Sequence, residues 1–449
     1  MNIAGTRQYD GTTNIPAADI SNITDTVNSE VLTMSGGLGT TSSANVGAYS
    51  LVNTSQGTLT LGDGPAGVNQ GLASNYTLTG GTQDYTITQR VLNSSGSKTY
   101  DANRNALAAD ISLTNLVVGE ALNHSGTATI SSANAGSYTI TNLAGITIAD
   151  GSGGTASNYT LTGGTHNFTV NPKVISLSGT RLYDATTNAV ASDLTTISGR
   201  VGAETLTLSG TGTLSDANVA TKTVGVGTLA LGDGTGLAAN YTLSGGTHQL
   251  TVNQRPLNAT IARQYDGTKT AAGSDLSAFD ALQGGETLTL SGSGTVGDEN
   301  VANGQGVTLG TLALVDGTGL ASNYSLNSAS LNITERVLNS SGSKTYDANT
   351  NALAADISLT NLVVGETLNH SGTAAISSAN AGSYTITNLA GISLADNTGL
   401  ASNYTLTGGT HNFTVNPKVI SLSGTRLYCL LYTSPSPRDQ RGSRMPSSA

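Results

Sequence analysis

Five times this chain sets a basic residue two positions before a Tyr-Asp pair, an arrangement able either to bind a ligand or to brace a fold. The pairs are Tyr9-Asp10, Tyr100-Asp101, Tyr183-Asp184, Tyr265-Asp266 and Tyr346-Asp347, led by Arg7, Lys98, Arg181, Arg263 and Lys344. Residues two apart on a strand share a face, so the cation and the ring could meet in cation–π contact. The plainer expectation is structural: the Tyr plugs a module core or a joint, and the Asp caps the turn that follows. These ten Tyr and Asp residues are therefore read as repeat-defining structural positions.

Carboxylates at fixed offsets raise the question of calcium. Ten residues after each Tyr stands an Asp (Asp19, Asp110, Asp193, Asp275, Asp356), and 20 or 21 after it a Glu (Glu30, Glu120, Glu204, Glu286, Glu366). DANRN from Asp101 resembles the opening of an EF-hand loop, but Ala106 stands where that loop needs Gly and Ser112 where it needs Glu. The fourth unit's DGTKT, from Asp266, has no Asn ligands at all. No metal site is assigned. A calcium alternative would use Asp101, Asp110 and Glu120 together.

Other chemistry is thinner still. Asn75, Asn158, Asn240, Asn323 and Asn403 each open an Asn-Tyr-Thr/Ser sequon and are the candidate glycosylation sites. Asn ahead of a strand is also an ordinary turn residue. The histidines are His124, His166, His248, His370 and His411; three of them sit in GGTHNF or GGTHQL strands, where the first unit has Gln83. A Lys-based isopeptide cross-link would find Lys only at Lys98 and Lys344, since Arg fills the same slot elsewhere. No nucleophile–base set, metal cluster or phosphate loop stands out, so neither an enzyme nor a cofactor is expected.

What positions these residues is a repeat of unusual fidelity. Successive Tyr-Asp tyrosines are 91, 83, 82 and 81 residues apart, and Tyr428 follows 82 later. RVLNSSGSKTYDAN at Arg90 returns at Arg336, 246 residues on, which implies duplication of a three-unit block. Within a unit, ETLTLSGTGTLS and NYTLSGGTHQLTVN alternate polar and apolar residues, the mark of strands, and DG, GG and SG pairs supply turns. A period of about 82 residues is too long for one solenoid coil and suits a small globular module.

The expected fold is all-β: a tandem array of about five small antiparallel, sandwich-like modules forming an elongated rod. The units are placed at 1–88 (N-terminally truncated), 89–171, 172–253, 254–334 and 335–416, with a truncated sixth beginning at 417–428. Junctions such as TVNPKVISL and TVNQRPLN keep alternating and carry Pro172, Pro256 and Pro417 rather than a Gly/Ser linker, so the joints should be stiff. Five modules would then span roughly 150–200 Å.

Composition narrows the partners. Charged residues make up only 10% of the chain, with 57 Gly, no Trp and three Phe. Formal net charge is −10; Arg438, Arg441 and Arg444 against Asp439 contribute +2, so residues 1–428 carry −12. An acidic chain without Lys/Arg clusters is not expected to bind nucleic acid. No apolar run approaches the ~20 residues of a membrane-spanning helix.

The basic-x-Tyr-Asp-Gly/Ala start, the S-x-x-N-V/A-G stretch (Ser42 to Gly47, Ser131 to Gly136) and the S-N-Y-T-L end resemble the YDG-type repeats of bacterial surface adhesins related to filamentous haemagglutinin. The resemblance covers all five units. It implies stalk or spacer repeats of a secreted or surface-attached protein, located outside the cell or on its surface. It also implies an outer-membrane secretion partner, with a host or matrix ligand bound by a region elsewhere. An alternative is that the repeats themselves bind glycans or calcium, or form a glycosylated matrix component.

The last stretch breaks the pattern. After Tyr428 the repeat calls for Asp-Ala, as at Asp184-Ala185, but Cys429 follows. CLLYTSPSPRD and the closing SRMPSSA resemble the translated two ends of a sequencing-library adapter. Residues 429–449 are read as a non-native tail, expected to be disordered.

Overall fold

The computed structural model describes residues 1–50, 56–67 and 69–424 of the chain. The expectations for Tyr428 and for 429–449 lie outside the described residues. Between Arg255 and Pro256 the chain divides into two compact units. The first unit holds three β modules and the second two, and no α-helix occurs among the described residues. No helix among them is long and apolar enough to cross a membrane.

The second module shows the plan. Its strands of three residues or more are β1 (Asn93–Thr99), β2 (Asn105–Leu107), β3 (Ile111–Thr114), β4 (Leu122–Ile130), β5 (Gly136–Asn142), β6 (Ile146–Asp150) and β7 (His166–Asn171). They form one sheet in the order β2-β4-β5-β7-β1-β3, with β6 paired to the first half of β4. Strand β4 serves three partners: its first half pairs with β6, and its second half pairs with β2 at Thr127–Thr129 and, with a register shift, with β5 at Thr129 and Ile130. The one-turn 3₁₀ helix Ala108–Asp110 links β2 to β3.

The array is all-β and tandem, as alternation predicts, and most ladders are antiparallel. Short parallel pairs join Arg90–Val91 to Tyr159–Thr160, Lys173–Val174 to Tyr241–Thr242 and Arg336–Val337 to Tyr404–Thr405, and a long parallel ladder lies at the centre of the module. β1 and β7, the first and last long strands, run parallel from Ser94↔His166 to Thr99↔Asn171. The same parallel ladder joins Asn2–Gln8 to Gln83–Thr88, Ser176–Leu182 to His248–Asn253, and Asn339–Thr345 to His411–Asn416. Parallel neighbours need a long crossover, and here the rest of the module is the crossover. Alternation reports which face a side chain takes but not the direction of its neighbour, so the expectation of antiparallel modules is corrected on these parallel pairs.

Packing follows from the strand code. HNFTVN in β7 buries His166, Phe168 and Val170 and leaves the residues between them less covered. In the fifth module the equivalent Phe413 and Val415 pack with Ala352, Ala354, Ile357, Ala374, Ile376, Ile386 and Ile392. Gly96 faces the Phe168 ring and the Asp110 carbonyl so closely that a Cβ would lie 2.3 Å from that oxygen. Across the short ladder, side-chain volume is traded between partners. Ile15 faces Gly39, Ala189 faces Gly212 and Ala271 faces Gly294, while Ala106 faces Ala128. Each pairing keeps a small total volume, so the two strands can approach without a void.

Candidate inter-module joint

Each Tyr-Asp turn is braced from within. Asp10, Asp101, Asp184, Asp266 and Asp347 accept a hydrogen bond through Oδ1 from the backbone N–H two residues on, at 2.9–3.1 Å. The preceding base does not stack on the Tyr ring. It pairs with the Asp: Lys98 with Asp101 at 2.8 Å, Arg181 with Asp184 at 3.1 Å, Lys344 with Asp347 at 3.0 Å, and likewise Arg7 with Asp10 and Arg263 with Asp266. Lys98 also donates to the Asn103 and Asn105 carbonyls, both at 2.8 Å, which closes the loop around the ammonium. Burial raises the Asp101 carboxyl, but its bonds from Lys98 and the Asn103 N–H win and hold it below the usual value. The residue after the Asp is left-handed in every turn, with φ of 79° at Gly11, 66° at Ala102, 61° at Ala185, 74° at Gly267 and 68° at Ala348.

The tyrosine itself leaves its own module. In the first unit, Tyr9 reaches the second module, donating to Glu120 Oε1 at 2.5 Å. The other oxygen of that carboxylate accepts from Tyr159 at 2.7 Å, and the Tyr159 hydroxyl accepts from the Val117 N–H at 3.1 Å. The two rings meet edge to face, centroids 5.4 Å apart at 79°. Beside them Asn158 Oδ1 accepts from the Val46 N–H at 2.8 Å, and its Nδ2 donates to Asn45 Oδ1 at 2.8 Å. Arg90, at the start of the second module, donates to the Tyr9 carbonyl at 3.3 Å. Ala44 and Val46 of the first module and Leu116, Val117, Leu122 and Leu161 of the second pack around this centre.

The same set recurs. Between the second and third modules Tyr100 and Tyr241 donate to the two oxygens of Glu204 at 2.7 and 2.5 Å, with centroids 5.4 Å apart. There Asn240 bridges the Ala135 N–H and Asn134 Oδ1. Within the second unit, Tyr265 and Tyr404 both donate to Glu366 at 2.6 Å, their centroids 5.5 Å apart. Asn403 bridges the Val301 N–H and Asn300 Oδ1. Within the fourth module Tyr324 donates to Glu286 at 2.6 Å.

Electrostatics fit a sealed contact. Burial first, then the bond to the neighbouring Glu, pushes the hydroxyls of Tyr9, Tyr100, Tyr159 and Tyr404 up to about 12. Tyr241 and Tyr265 are raised by the same causes. A carboxylate between two phenols, with one phenol accepting a backbone N–H, forms a polarised chain in which every member has a partner.

This geometry relocates several sequence-derived candidates. Asp101, Asp110 and Glu120 do not converge: Asp101 is held by Lys98 in its turn, Asp110 ends the 3₁₀ turn, and Glu120 faces the first module. Among the described residues no group of three or more His, Cys, Asp or Glu could hold a metal ion. Asn158, Asn240, Asn323 and Asn403 are 0–1% exposed, so as glycan acceptors on the folded chain they are corrected: no glycan fits at a buried amide. Asn75 alone of the five is exposed. The histidines are structural. His248 Nδ1 accepts from the Leu177 N–H at 3.2 Å while Nε2 donates to the Leu243 carbonyl at 2.8 Å. Gln83 makes the equivalent bond to the Leu78 carbonyl in the first module.

Sequence reasoning singled out the Glu as a repeat marker and calcium candidate and the Asn-Tyr pair as a repeat marker and sequon, not as parts of a joint. Their partners lie 101–111 residues away in the Tyr–Glu contacts, beyond any local pattern. The available signal was the shared period: three polar markers recurring in step, with no local job for the Glu.

No curated protein matches the chain. Among solved structures it is similar to the Bacillus anthracis TIE protein at 8% identity and a TM-score of 0.16, over 70% of this chain and 64% of that one. The chain thus spans less than two thirds of that structure's length, and the likeness is too weak to bear on the fold. The family model of the YDG domain matches four times in succession, at residues 85–168, 167–249, 247–331 and 331–411. With most of its length covered in this way, the chain belongs to the YDG domain family.

Proposed function

We propose that this chain is a run of structural spacer repeats, the stalk of a secreted or surface-attached bacterial adhesin of the filamentous-haemagglutinin-like kind, carrying a binding region that lies elsewhere. The observation that carries this reading is the joint. The residues that define the repeat are spent on fastening one module to the next, with the same bonds at each joint described above. A spacer needs modules that do not swing freely, and a buried Tyr–Glu–Tyr contact resists swinging better than an exposed linker does.

The disposition of aromatics points the same way. Carbohydrate-binding faces lean on exposed rings, yet among the described residues only Tyr346 is an exposed Tyr or Phe. Catalysis is not part of this reading: the joint carboxylates Glu120, Glu204 and Glu366 and the strand histidines are held in structural bonds. The host or matrix ligand, the secretion partner and the location outside the cell belong to this proposal. Small-angle scattering on the whole chain tests it. A cross-section of one module with a maximum dimension of roughly 150–200 Å is expected; a compact or random-coil profile would overturn it.

A further inference from the structure

The direction of the central ladder decides how a module answers tension. The chain reaches the second module's sheet at the start of β1 and leaves it at the end of β7. Because β1 and β7 run parallel, those two points lie at opposite ends of one ladder. Tension along the chain therefore draws the two strands in opposite directions along their own axes. All the ladder bonds are loaded together, whereas first and last strands paired antiparallel would part bond by bond.

The ladder is long and is held on both sides. It opens with Arg90–Val91 beside Tyr159–Thr160 and closes where the Tyr100 N–H donates to the Asn171 carbonyl at 2.9 Å. Leu92 and Ser94 donate across it to the Thr160 and Thr165 carbonyls at 2.8 and 3.0 Å. The Tyr of every Tyr-Asp turn supplies the closing bond: Tyr9 to Thr88, Tyr183 to Asn253, Tyr265 to Thr334 and Tyr346 to Asn416, at 2.8–2.9 Å. β7 also pairs with β5 from Gly136↔Val170 to Thr139↔Asn167, and β1 with β3 from Asn93↔Thr114 to Gly96↔Ile111. Neither strand can be drawn out without shearing two ladders.

Side chains oppose sliding as well. In the third module, Leu177 of the entry strand Ser176–Leu182 and Leu250 and Val252 of the exit strand His248–Asn253 are at most 1% exposed. A slip of one residue would turn these side chains out of the core. The next register that buries them lies two residues on, about 6.6 Å away. In the second module the buried Ser94 Oγ and His166 Nδ1 meet across the ladder at 2.9 Å. Little slack separates successive ladders. Gln89 stands between the exit strand Gln83–Thr88 and Arg90–Val91, Pro172 between β7 and Lys173–Val174, and Glu335 between Tyr324–Thr334 and Arg336–Val337.

We propose that the modules are load-bearing: each parallel ladder is a shear clamp, so a chain under tension resists extension and then yields one whole module at a time. The use of such a clamp rests on the spacer reading, but the clamp itself rests only on strand direction. Scattering from the unloaded chain tests the first and a pulling experiment the second, so either can fail alone.

The test is single-molecule force spectroscopy, because forced unfolding reads the unfolding barrier and not the equilibrium. The full chain, stretched by its ends, is expected to yield in discrete steps of roughly 250 Å, the extended length of one module less its folded span. Direction is tested in the third module, with Cys429→Ala so that only introduced thiols carry handles. Handles on Val174→Cys and Asn253→Cys load its ladder in shear; handles on Val174→Cys and Ser244→Cys peel the same ladder from one end. All three positions are exposed, so melting curves should match the parent and report folded protein. Shear should need at least about twice the force of peeling, since peeling breaks bonds of about 1 kcal/mol singly. Equal forces in the two directions, or a full chain that extends without module-sized steps, would overturn the proposal.

Discussion

Tyr9 and Glu120 stand 111 residues apart in the chain and 2.5 Å apart in space, the hydroxyl of one module donating to the carboxylate of the next. With Tyr159 on the second oxygen, that carboxylate holds both sides of a joint. The motif that gives the repeat its character is thus a fastening between modules.

Removing one hydroxyl should loosen a joint without dismantling it. Tyr100→Phe keeps the edge-to-face packing on Tyr241 and loses the bond to Glu204, at a cost of about 1 kcal/mol. Glu204→Ala strands two buried hydroxyls and should cost about 2–4 kcal/mol. In a linear array such losses appear as separation of the melting transitions on either side of the joint. Calorimetry checks this, and a single unshifted transition in Glu204→Ala would contradict it.

Alkaline pH should undo the joints together. Folding raises the joint tyrosines from about 10 to about 12 for Tyr9, Tyr100, Tyr159 and Tyr404, so between those values the folded chain holds protons the unfolded chain has released. Their stabilisation is whole below pH 10 and is lost as pH rises toward 12. Ultraviolet titration of tyrosinate should show a late, cooperative phase coincident with loss of structure. Denaturation midpoints flat from pH 9 to 12 would count against it.

The sequon asparagines should divide by position. Asn240→Asp loses the donor to Asn134 and places a charge in a buried site, which should cost about 2–4 kcal/mol. Asn75→Asp, on an exposed face, should change stability by less than about 0.5 kcal/mol. Thermal melts of the two variants make the comparison.

The left-handed turn position allows a gain as well as a loss. Ala102→Gly and Ala348→Gly relieve an L-residue held at φ of 66° and 68°, and should stabilise by about 0.5–1 kcal/mol net of chain entropy. Gly11→Ala does the reverse and sets a methyl 2.9 Å from Val117 Cγ1 of the next module, so it should weaken the joint as well as the turn. Denaturant melts should order the three variants accordingly.

Much of a single module was legible from its residues. Alternation in HNFTVN and SLSGTRL marks strands that exist, and Tyr-Asp marks a turn whose Asp caps it. Three things were not. The parallel pairing of Ser94 with His166 leaves no local trace, because alternation is the same in either direction. Glu120 suggested calcium because its partners, Tyr9 and Tyr159, come from another module and from the far end of its own. Asn158 read as a modifiable turn residue because its exposure is decided by Val46 of the preceding module. Local sequence specifies strands and turns, whereas contacts made across a period show only as markers in step.

Amide hydrogen exchange at Val46, Ala135 and Val301 tests the joint most directly. Each of these N–H groups donates across a joint, to Asn158, Asn240 and Asn403 respectively. Ala381 occupies the same place in the fifth module, is exposed, and serves as the internal control. If the modules are fastened, the three amides exchange at least about a thousandfold more slowly than an open chain, Ala381 exchanges fast at low protein concentration, and Asn158→Ala releases Val46 alone. Exchange of Val46, Ala135 and Val301 as fast as Ala381 would mean that the joints stand open and the modules move independently.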